Sequence, residues 1–437
     1  MKTFLIIWLG QFISLIGSSL TSFSLGIWVY QKTGSVLHLS LLSLLIFVPK
    51  IIFAPLNGVI VDRFNRRWLM IIGDTGAGFS TLLIAFFLLL NNLQIWHIYI
   101  AIFISSTFSA FQIPAYTAIL TQILQKNQFS RAISMIQLGE SISRTIAPIL
   151  GGILLTTIKI QGIIWLDFFS FIFSVVTLLS IPFSNQNTGD DTQVKKTNIK
   201  EDIAEGFKYL KVRSGLIALL VFLSVTNFML AVVEILFTPL MLSFLSSQSM
   251  GIILSFGSVG MILSSFIIGI LGRLGNGINN IFRFMLILGM SLIFIGYSSS
   301  IPMVTFAIFL AFFSYSIIEI VIQLIFQKKV SLHIQGRIFA IKQGITFFFI
   351  PLAYLIGGIL ADWLENIINS HKFLLINIEK LIDADSAYGI RLLLMIMGIM
   401  IIIFNLIIYQ YPCFRLVEKE IPDAISPEFD INNHPEN

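Results

Sequence analysis

Cysteine, histidine and charged residues are scarce in this sequence, and each scarcity excludes a kind of chemistry. The single cysteine, Cys413, excludes a disulfide within the chain and a cysteine-rich metal site. The five histidines fall near the ends of apolar segments or between them, which argues against a zinc cluster or a buried histidine relay. A G-x-x-x-x-G-K-[ST] motif is absent, so the chain has no ATP site of that kind. We expect no cofactor and no metal.

Apolar residues dominate what remains. They make up 56% of the chain against 11% charged residues, and the mean hydropathy is +0.92, far outside the range of a soluble domain. A helix crosses the hydrocarbon core with roughly 20 apolar residues. The predicted spans are 4–29, 37–61, 69–90, 96–120, 132–156, 161–182, 215–243, 249–271, 280–299, 302–326, 338–362 and 388–410. The alternating pattern of a membrane barrel is absent, so we predict an all-α membrane protein with twelve transmembrane helices.

Lysine and arginine are unevenly distributed among the loops, and this sets the predicted orientation. Of 27 such residues, 19 lie in even-numbered loops or at the two ends, five lie in odd-numbered loops and three lie within helices. Basic residues favour the cytoplasmic side, so we expect the even loops and both termini to be cytoplasmic. The odd-loop set includes Arg391, and we expect an outer loop over residues 363–387. The basic pI near 9.2 reports this topology, so we expect no nucleic-acid partner.

A polar segment after the sixth span divides the chain. Residues 184–196 have the composition of a solvated linker, whereas Ile199, Ile203, Phe207 and Leu210 fall on one helical face. We predict that this second part is an amphipathic helix on the inner membrane surface. The predicted domains are a six-helix bundle over 1–183, a cytoplasmic linker over 184–213, a second six-helix bundle over 214–412 and a cytoplasmic tail over 413–437.

The two halves share a spaced motif. Arg131 is followed after nineteen residues by Gly-Gly-Ile-Leu at 151–154, and Arg337 is followed after nineteen residues by Gly-Gly-Ile-Leu at 357–360. The offset is 206 residues for both parts of the motif. Parallel six-helix repeats are typical of transporters in which one half rocks against the other around a central site. The spacing therefore favours two pseudo-symmetric halves.

The stretch GVIVDRFNRR at 58–67 resembles the loop signature of the major facilitator superfamily, G-x-x-x-D-R-x-G-R-R. Asn65 replaces the second glycine, and asparagine is among the few residues that tolerate a left-handed turn. The matching stretch of the second half, residues 269–275, keeps glycines and one arginine but has no acid. The sequence APILGG at 147–152 is similar to the G-P-x-x-G-G motif of exporters that run as antiporters, with Ala147 in place of the first glycine. The residues of this antiporter-like motif are Pro148, Gly151 and Gly152.

Three further stretches resemble the macrolide-efflux and enterobactin-exporter branch of that superfamily. They are residues 8–35, the Pro114-Ala115 pair and Asp167 in WLDFFSF, and the resemblance covers residues 1 to 412. It implies the major facilitator fold, with twelve helices in two pseudo-symmetric six-helix bundles. It also implies a secondary active transporter that exports drug-like, macrolide-like or siderophore-like amphiphiles by proton antiport with alternating access. By this resemblance we expect a monomer in the bilayer of the bacterial inner membrane, with a small-molecule substrate and protons as its partners.

Other functions stay open at this point. An importer or facilitator of a small metabolite fits the same fold, and so does a membrane receptor that does not transport. An enzyme is disfavoured because the loops are too short for a catalytic domain and the histidines lie near helix ends or in loops, where they form no intramembrane cluster. The motif around Pro148 is what favours export.

Ionisable residues inside membrane helices cost about 2.5–3.5 kcal/mol each on insertion scales, so each needs a reason. Glu140 and Arg144 are four residues apart in the order that favours an intrahelical pair. They either neutralise each other or take part in proton release. The proton-coupling candidates are Glu140, Arg144, Glu234, Glu319 and Asp167. An unpaired acid here suits either a cationic substrate or the coupling proton.

Three other charged residues have more local explanations. Lys50 is expected to pair with one of the acids or to extend its stem towards water. Lys342 lies little more than a turn inside its helix, so we expect it to reach the cytoplasm. Asp74 lies within the first two turns of the third helix, and we expect a local role near the cytoplasmic loop.

Helices 1, 4, 7 and 10 each have a polar stripe at helical spacing. By the resemblance these are the helices that line the central cavity. The cavity-lining candidates are Gln11, Ser18, Ser22, Ser109, Gln112, Tyr116, Asn227 and Gln323. Serine is also a common packing residue between membrane helices, so a structural role is the alternative for each serine.

The charged part of GVIVDRFNRR is interpreted as a contact between the two halves. Its arginines anchor helices 2 and 3 at the cytoplasmic surface, and Asp62 lies at the membrane edge, where the N-terminus of helix 11 and Arg337 can meet it. We hypothesise that this contact is a latch for the outward-facing state. The latch residues are Gly58, Asp62, Arg63, Arg66, Arg67 and Arg337.

Overall fold

The computed structural model describes residues 1–63, 65–124, 128–180, 199–271, 277–371, 382 and 386–420, with only the backbone described over 54–63, over 199–204 and at single positions elsewhere. Helices account for almost all of it. They are α1 (Lys2–Thr33), α2 (Val36–Arg63), α3 (Arg66–Leu89), α4 (Ile95–Ile123), α5 (Phe129–Thr157), α6 (Lys159–Ser180), α7 (Ile199–Val212), α8 (Ser214–Phe244), α9 (Ser247–Leu271), α10 (Gly277–Tyr297), α11 (Ile301–Lys329), α12 (Leu332–Phe348), α13 (Ile350–Ser370), α14 (Tyr388–Tyr409), α15 (Pro412–Arg415) and α16 (Val417–Glu420).

Twelve stretches of the described helices are long and apolar enough to cross a membrane, which confirms the predicted number. They are α1 to α6, α8 to α11, the continuous pair α12 and α13, and α14. Large apolar side chains such as Phe79, Ile262 and Phe266 are more than half exposed. That exposure is what a surface in contact with lipid tails requires, because the solvent there is as apolar as the side chain.

Local signals in the sequence explain where two of these helices begin and end. Gly34 closes α1 with a φ of 65° and donates its N–H to the Tyr30 carbonyl, as glycine after a helix C-terminus commonly does. Asn65 opens α3 by accepting a hydrogen bond from the Arg67 N–H at 3.0 Å. Its φ of −61° and ψ of 118° are extended, so asparagine is not required here for a left-handed turn. Asparagine is present there because it caps the helix.

The chain packs into two compact units. The first contains residues 1–185, 232–256 and 351–390, and the second contains residues 186–231, 257–350 and 391–437. The first unit therefore holds the six helices α1 to α6 together with the end of α8, the start of α9 and α13. The domain boundaries drawn from the sequence stay a prediction.

Two expectations about the second half were wrong. Helix α13 continues to Ser370, so the first eight residues of the expected outer loop, 363–370, are helical. Arg391 lies inside α14 and is fully buried, with hydrogen bonds to the Ser298 carbonyl at 3.1 Å and the Ser299 hydroxyl at 2.6 Å. Its guanidinium thus satisfies polar groups just beyond the end of α10, which is why it is not a loop cation.

Asp362 and Glu365 on α13 each accept hydrogen bonds from backbone N–H groups at the start of another helix, and all of these residues belong to the first unit. The Asp362 carboxylate accepts hydrogen bonds from the Val36 N–H at 2.8 Å, the Leu37 N–H at 3.1 Å and the Ser35 hydroxyl at 2.5 Å. The Glu365 carboxylate accepts from the Gly389 N–H at 2.8 Å. Each acid satisfies N–H groups that a helix start leaves free, and its charge is favourable at the positive end of the helix dipole. The first unit is held together at this end by α13.

We expect Asp362→Ala to lower the free energy of unfolding by about 1–2 kcal/mol, the usual cost of losing a helix N-cap with a charge on it. Thermal unfolding of the detergent-purified protein measures the loss. Asp362→Asn is the control, because its amide oxygen still accepts from one N–H, and it should lose less than the alanine variant. Equal stabilities for wild type and Asp362→Ala would contradict this role.

The repeated Gly-Gly-Ile-Leu motif forms close helix crossings in the first unit. A Cβ at Gly152 would lie 2.5 Å from the Ser247 carbonyl oxygen at the start of α9, and one at Gly358 would lie 3.0 Å from the Leu37 Cα at the start of α2. Shifted by the repeat offset, Ser40, which also contacts Gly358, falls one residue from Ser247. The two copies of the motif thus serve equivalent crossings, where only glycine lets the backbones approach.

Candidate functional site

A cavity of about 650 Å³ lies within the first unit. It is walled by helices α1 to α6 and by one residue of α8, Glu234. Sequence candidates that line it are Gln11, Ser18, Ser22, Ser109, Gln112, Tyr116, Glu140, Arg144, Pro148, Asp167 and Glu234. The volume falls in the usual range of small-molecule sites, roughly 300–1,000 Å³. Most of the polar residues that the sequence predicts as site residues therefore line this one cavity.

Asp74 is enclosed by neutral hydrogen-bond donors at this wall. Its side chain is 2% exposed. Its Oδ2 accepts from Gln11 Nε2 at 2.8 Å and from Ser174 Oγ at 2.9 Å, and its Oδ1 accepts from Gln112 Nε2. The expected local role near a loop was wrong, because α3 packs Asp74 between α1, α4 and α6. The donors satisfy the carboxyl without a counter-charge.

The sequence held a signal for this burial. Asp74 lies in the small-residue run GDTGAG, and its glycines permit close packing of α3. A Cβ at Gly73 would lie 3.3 Å from the Gln112 Cβ, and one at Gly76 or Gly78 would clash with the rings of Phe108 or Phe171. An acid in a tightly packed helix face is buried along with its neighbours.

Asp167 has a second enclosure of the same kind. Its side chain is 4% exposed, and it accepts from the Ser18 hydroxyl at 3.2 Å and the Thr81 hydroxyl at 3.1 Å. Gly17 lies so close that a Cβ there would be 3.0 Å from Asp167 Oδ1. Neither Asp74 nor Asp167 forms a salt bridge with a described residue. Both acids therefore rely on hydroxyl and amide groups that can rotate to donate or accept.

Glu234 faces the cavity from α8 and is paired with a tyrosine. It lies deep in the protein but is exposed to the cavity interior. The Tyr354 hydroxyl of α13 donates to its Oε2 at 2.8 Å, and the Tyr354 ring lies 5.7 Å from that of Phe47 on α2. Arg144 is the cation whose charge acts on this pair. Tyr354 was missed from the sequence because its partner lies 120 residues away.

Glu140 and Arg144 do not form the intrahelical salt bridge that their spacing allows, although both lie in the described part of the chain. Both line the cavity, and both charges act on Lys50 of α2, which lines it as well. The mutual-neutralisation alternative therefore does not describe this conformation. The Arg144 charge acts on Glu234, which lines the same cavity.

Two hydroxyls of the cavity wall, those of Thr21 and Tyr116, have no hydrogen-bond partner among the described residues. Tyr116 is 8% exposed. It follows Gln112 by one helical turn on α4, so it lies next to the Asp74 enclosure. A buried hydroxyl without a partner costs free energy, and a bound molecule can supply that partner.

A smaller cavity of about 310 Å³ lies within the second unit and contains the remaining candidates. It is lined by Asn227, Glu319 and Gln323 together with Lys342. The Lys342 ammonium donates to Gln323 Oε1 at 3.0 Å, and it lies 5.2 Å from the centre of the Phe326 ring. The expectation that Lys342 extends towards water was wrong. An amide oxygen and an aromatic face stabilise its ammonium group at this position.

The latch hypothesis stays a prediction. The side chains of Gly58, Asp62 and Arg63 lie outside what the structure describes. Arg67 donates to the Leu178 and Leu179 carbonyls at 3.0 and 2.9 Å, which ties the start of α3 to α6. Arg337 forms a salt bridge with Glu205 of α7.

The described part of the chain is that of a polytopic membrane protein, with twelve apolar helices and a polar cavity between helices of the first unit, an arrangement typical of transporters. The sequence matches the family model of the Major Facilitator Superfamily over residues 7–353, and the chain belongs to that family. The predicted family and fold class are confirmed, and the family makes the protein a transporter rather than an enzyme.

Sequence relatives include efflux proteins, and a solved structure shares the fold. Macrolide efflux protein A of Streptococcus pyogenes is 28% identical over 367 residues, covering 82% of this chain and 89% of that protein. The protein of the same name from Enterococcus faecalis is 27% identical over 327 residues, covering 73% and 99%. A bacterial homologue of the human lysosomal transporter Spinster is 13% identical, with a TM-score of 0.72 over 96% of this chain and 97% of that one. These sequence relatives confirm the macrolide-efflux part of the resemblance.

Proposed function

We propose that this protein is a secondary active exporter of amphiphilic small molecules, driven by proton antiport with alternating access. It acts as a monomer in the bacterial inner membrane, with both termini in the cytoplasm. The observation that carries the proposal is the first-unit cavity, where apolar and aromatic walls surround carboxyl groups without described salt-bridge partners. Such a cavity suits a molecule with a large apolar body and a polar or cationic group. Similarity to two macrolide efflux proteins supports export and this substrate class.

The carboxyl groups of the cavity supply the coupling in this proposal. Glu234 faces the cavity, so a proton or a cationic substrate reaches it directly, and the two compete for the same charge. Asp74 and Asp167 hold a second and third exchangeable proton, because their rotatable partners accommodate both the neutral and the charged carboxyl. The Tyr116 hydroxyl takes a polar group of the bound substrate. Glu319 beside Lys342 is the corresponding acid of the second unit.

Cells that overproduce the protein are expected to accumulate several-fold less of a cationic amphiphilic dye or a macrolide than cells with an empty vector. A protonophore should remove the difference, because the proton gradient is the energy source. Accumulation is measured by dye fluorescence or with radiolabelled macrolide in a strain without its main efflux pumps. Higher accumulation in producing cells would indicate import, and unchanged accumulation across a broad panel would refute export of this class.

A further inference from the structure

A third hollow, with no lining residue in common with the two polar cavities, lies between α7, α8 and α12 of the second unit. This groove has a volume of about 750 Å³. Its walls include Phe207 of α7, Ile217, Val221 and Phe228 of α8, and Phe349 at the end of α12. Phe207 and Val221 are 50% and 51% exposed. The groove is thus an open apolar channel along a membrane helix.

Two lysines lie at one end of the groove. Lys208 and Lys211 of α7 line it, and they are exposed and three residues apart on the same face of the helix. Neither forms a salt bridge with a described residue. Two nearby cations are engaged, since Arg213 stacks on Tyr209 at 3.7 Å and Arg337 of α12 pairs with Glu205 of α7. The two lysines therefore offer positive charge to a molecule outside the chain.

The groove has the depth of one membrane leaflet. Its α8 wall runs from Ile217 to Phe228, and at 1.5 Å per residue this is about 16 Å along the helix. The hydrocarbon core of a bilayer is about 30 Å thick, so a single leaflet accounts for about half of that. Lys208 and Lys211 lie at the α7 end of this wall, where a lipid headgroup lies when its chains enter the core.

We infer that the groove binds one anionic phospholipid from the leaflet next to α7. The phosphate contacts the ammonium groups of Lys208 and Lys211, and one acyl chain packs along Ile217, Val221 and Phe228. A phospholipid matches both parts of the site, because the apolar channel alone would accept any hydrocarbon while the lysines select negative charge. The bound lipid links the amphipathic helix α7 to the membrane-spanning helix α8. This inference does not depend on the direction or substrate of transport.

Native mass spectrometry of the full-length protein in detergent tests the inference. The probes are phosphatidylglycerol, phosphatidylcholine with the same chains, and inorganic phosphate. We expect wild-type protein to retain phosphatidylglycerol in preference to phosphatidylcholine and to bind no phosphate alone. A lysine near an anionic lipid surface contributes about fivefold in affinity, so Lys208→Gln with Lys211→Gln should weaken phosphatidylglycerol binding about 30-fold.

Two further variants separate charge from shape. Val221→Trp fills the channel without changing charge, and since Val221 is half exposed the protein should fold, which size-exclusion chromatography checks. It should lose phosphatidylglycerol as the double lysine variant does. Lys328→Gln removes an exposed lysine that does not line the groove and should bind like wild type. Equal retention of the two lipids by wild type, an unchanged Val221→Trp, or an equal loss in Lys328→Gln would each overturn the inference. Because these are lipid-binding measurements, their outcome does not depend on whether the variants transport a substrate.

Discussion

Glu234→Gln is expected to abolish active efflux, with a transport rate at least tenfold below wild type. The glutamine keeps the size of the side chain and a group that can accept from the Tyr354 hydroxyl. It removes the charge that both a cationic substrate and a coupling proton require, so the loss follows from the charge alone. Efflux of preloaded dye after energisation measures the rate, and the amount of inserted protein is determined in the same cells.

Tyr354→Phe is the matched variant for this prediction. It keeps the Glu234 carboxyl but removes the hydroxyl that donates to it at 2.8 Å. The loss of that hydrogen bond changes the environment of the carboxyl, so it should displace the pH profile of efflux while transport persists. The expected pattern is therefore an inactive Glu234→Gln and an active Tyr354→Phe with a displaced profile. A fully active Glu234→Gln would remove Glu234 from the coupling scheme.

Asp74→Asn is expected to uncouple transport while leaving substrate exchange in place. The asparagine must point an N–H₂ group at one of three donors, Gln11, Gln112 or Ser174, and it has no proton to exchange. We expect efflux against a gradient to fall about tenfold or more, whereas exchange of substrate across vesicles without a proton gradient continues. Proteoliposomes with an imposed pH difference separate these two activities.

Ser174→Ala distinguishes a coupling role for Asp74 from a structural one. It removes one neutral donor to Asp74, at a cost of about 1 kcal/mol in stability, but it keeps the acid. A structural role predicts that Asp74→Asn and Ser174→Ala lose exchange and pH-driven efflux together. A coupling role predicts that only Asp74→Asn loses the pH-driven part. Asp167→Asn, with Thr81→Ala as its partner control, repeats the comparison at the second enclosure.

Of the two acids in these predictions, the sequence indicates Glu234 as a site residue but not Asp74. Glu234 was a candidate from the start, because an acid without an intrahelical partner in an apolar span is costly and needs a reason. Asp74 carried the same cost, but its position near a helix start suggested a simpler explanation. The structure gives it three hydrogen bonds from three other helices, and two of those donors, Gln11 and Gln112, are cavity residues that the sequence predicts. The two glutamine amides and the Asp74 carboxyl therefore belong to one hydrogen-bond network.

The partners of charged side chains are the feature that the sequence predicted least well. Spacing indicated a Glu140–Arg144 pair, but the two residues are not in a salt bridge, and Arg144 acts on Glu234 instead. Arg391 was counted among loop cations, but it is fully buried near the end of α10. Helical spacing identifies possible partners only within the same helix. In a helix bundle, the partner of a charged side chain often lies on another helix that is distant in the sequence.

The sequence by itself determined the class of protein, the number of spans and the repeat. Hydropathy and chain length act locally, because each span must satisfy its own backbone hydrogen bonds in lipid, so twelve apolar runs give twelve helices whatever their packing. Only the tertiary structure decided which polar groups meet. The enclosures of Asp74 and Asp167, the Glu234–Tyr354 pair and the caps from Asp362 each join residues from different helices. Their free energy comes from contacts that exist only after the helices have packed.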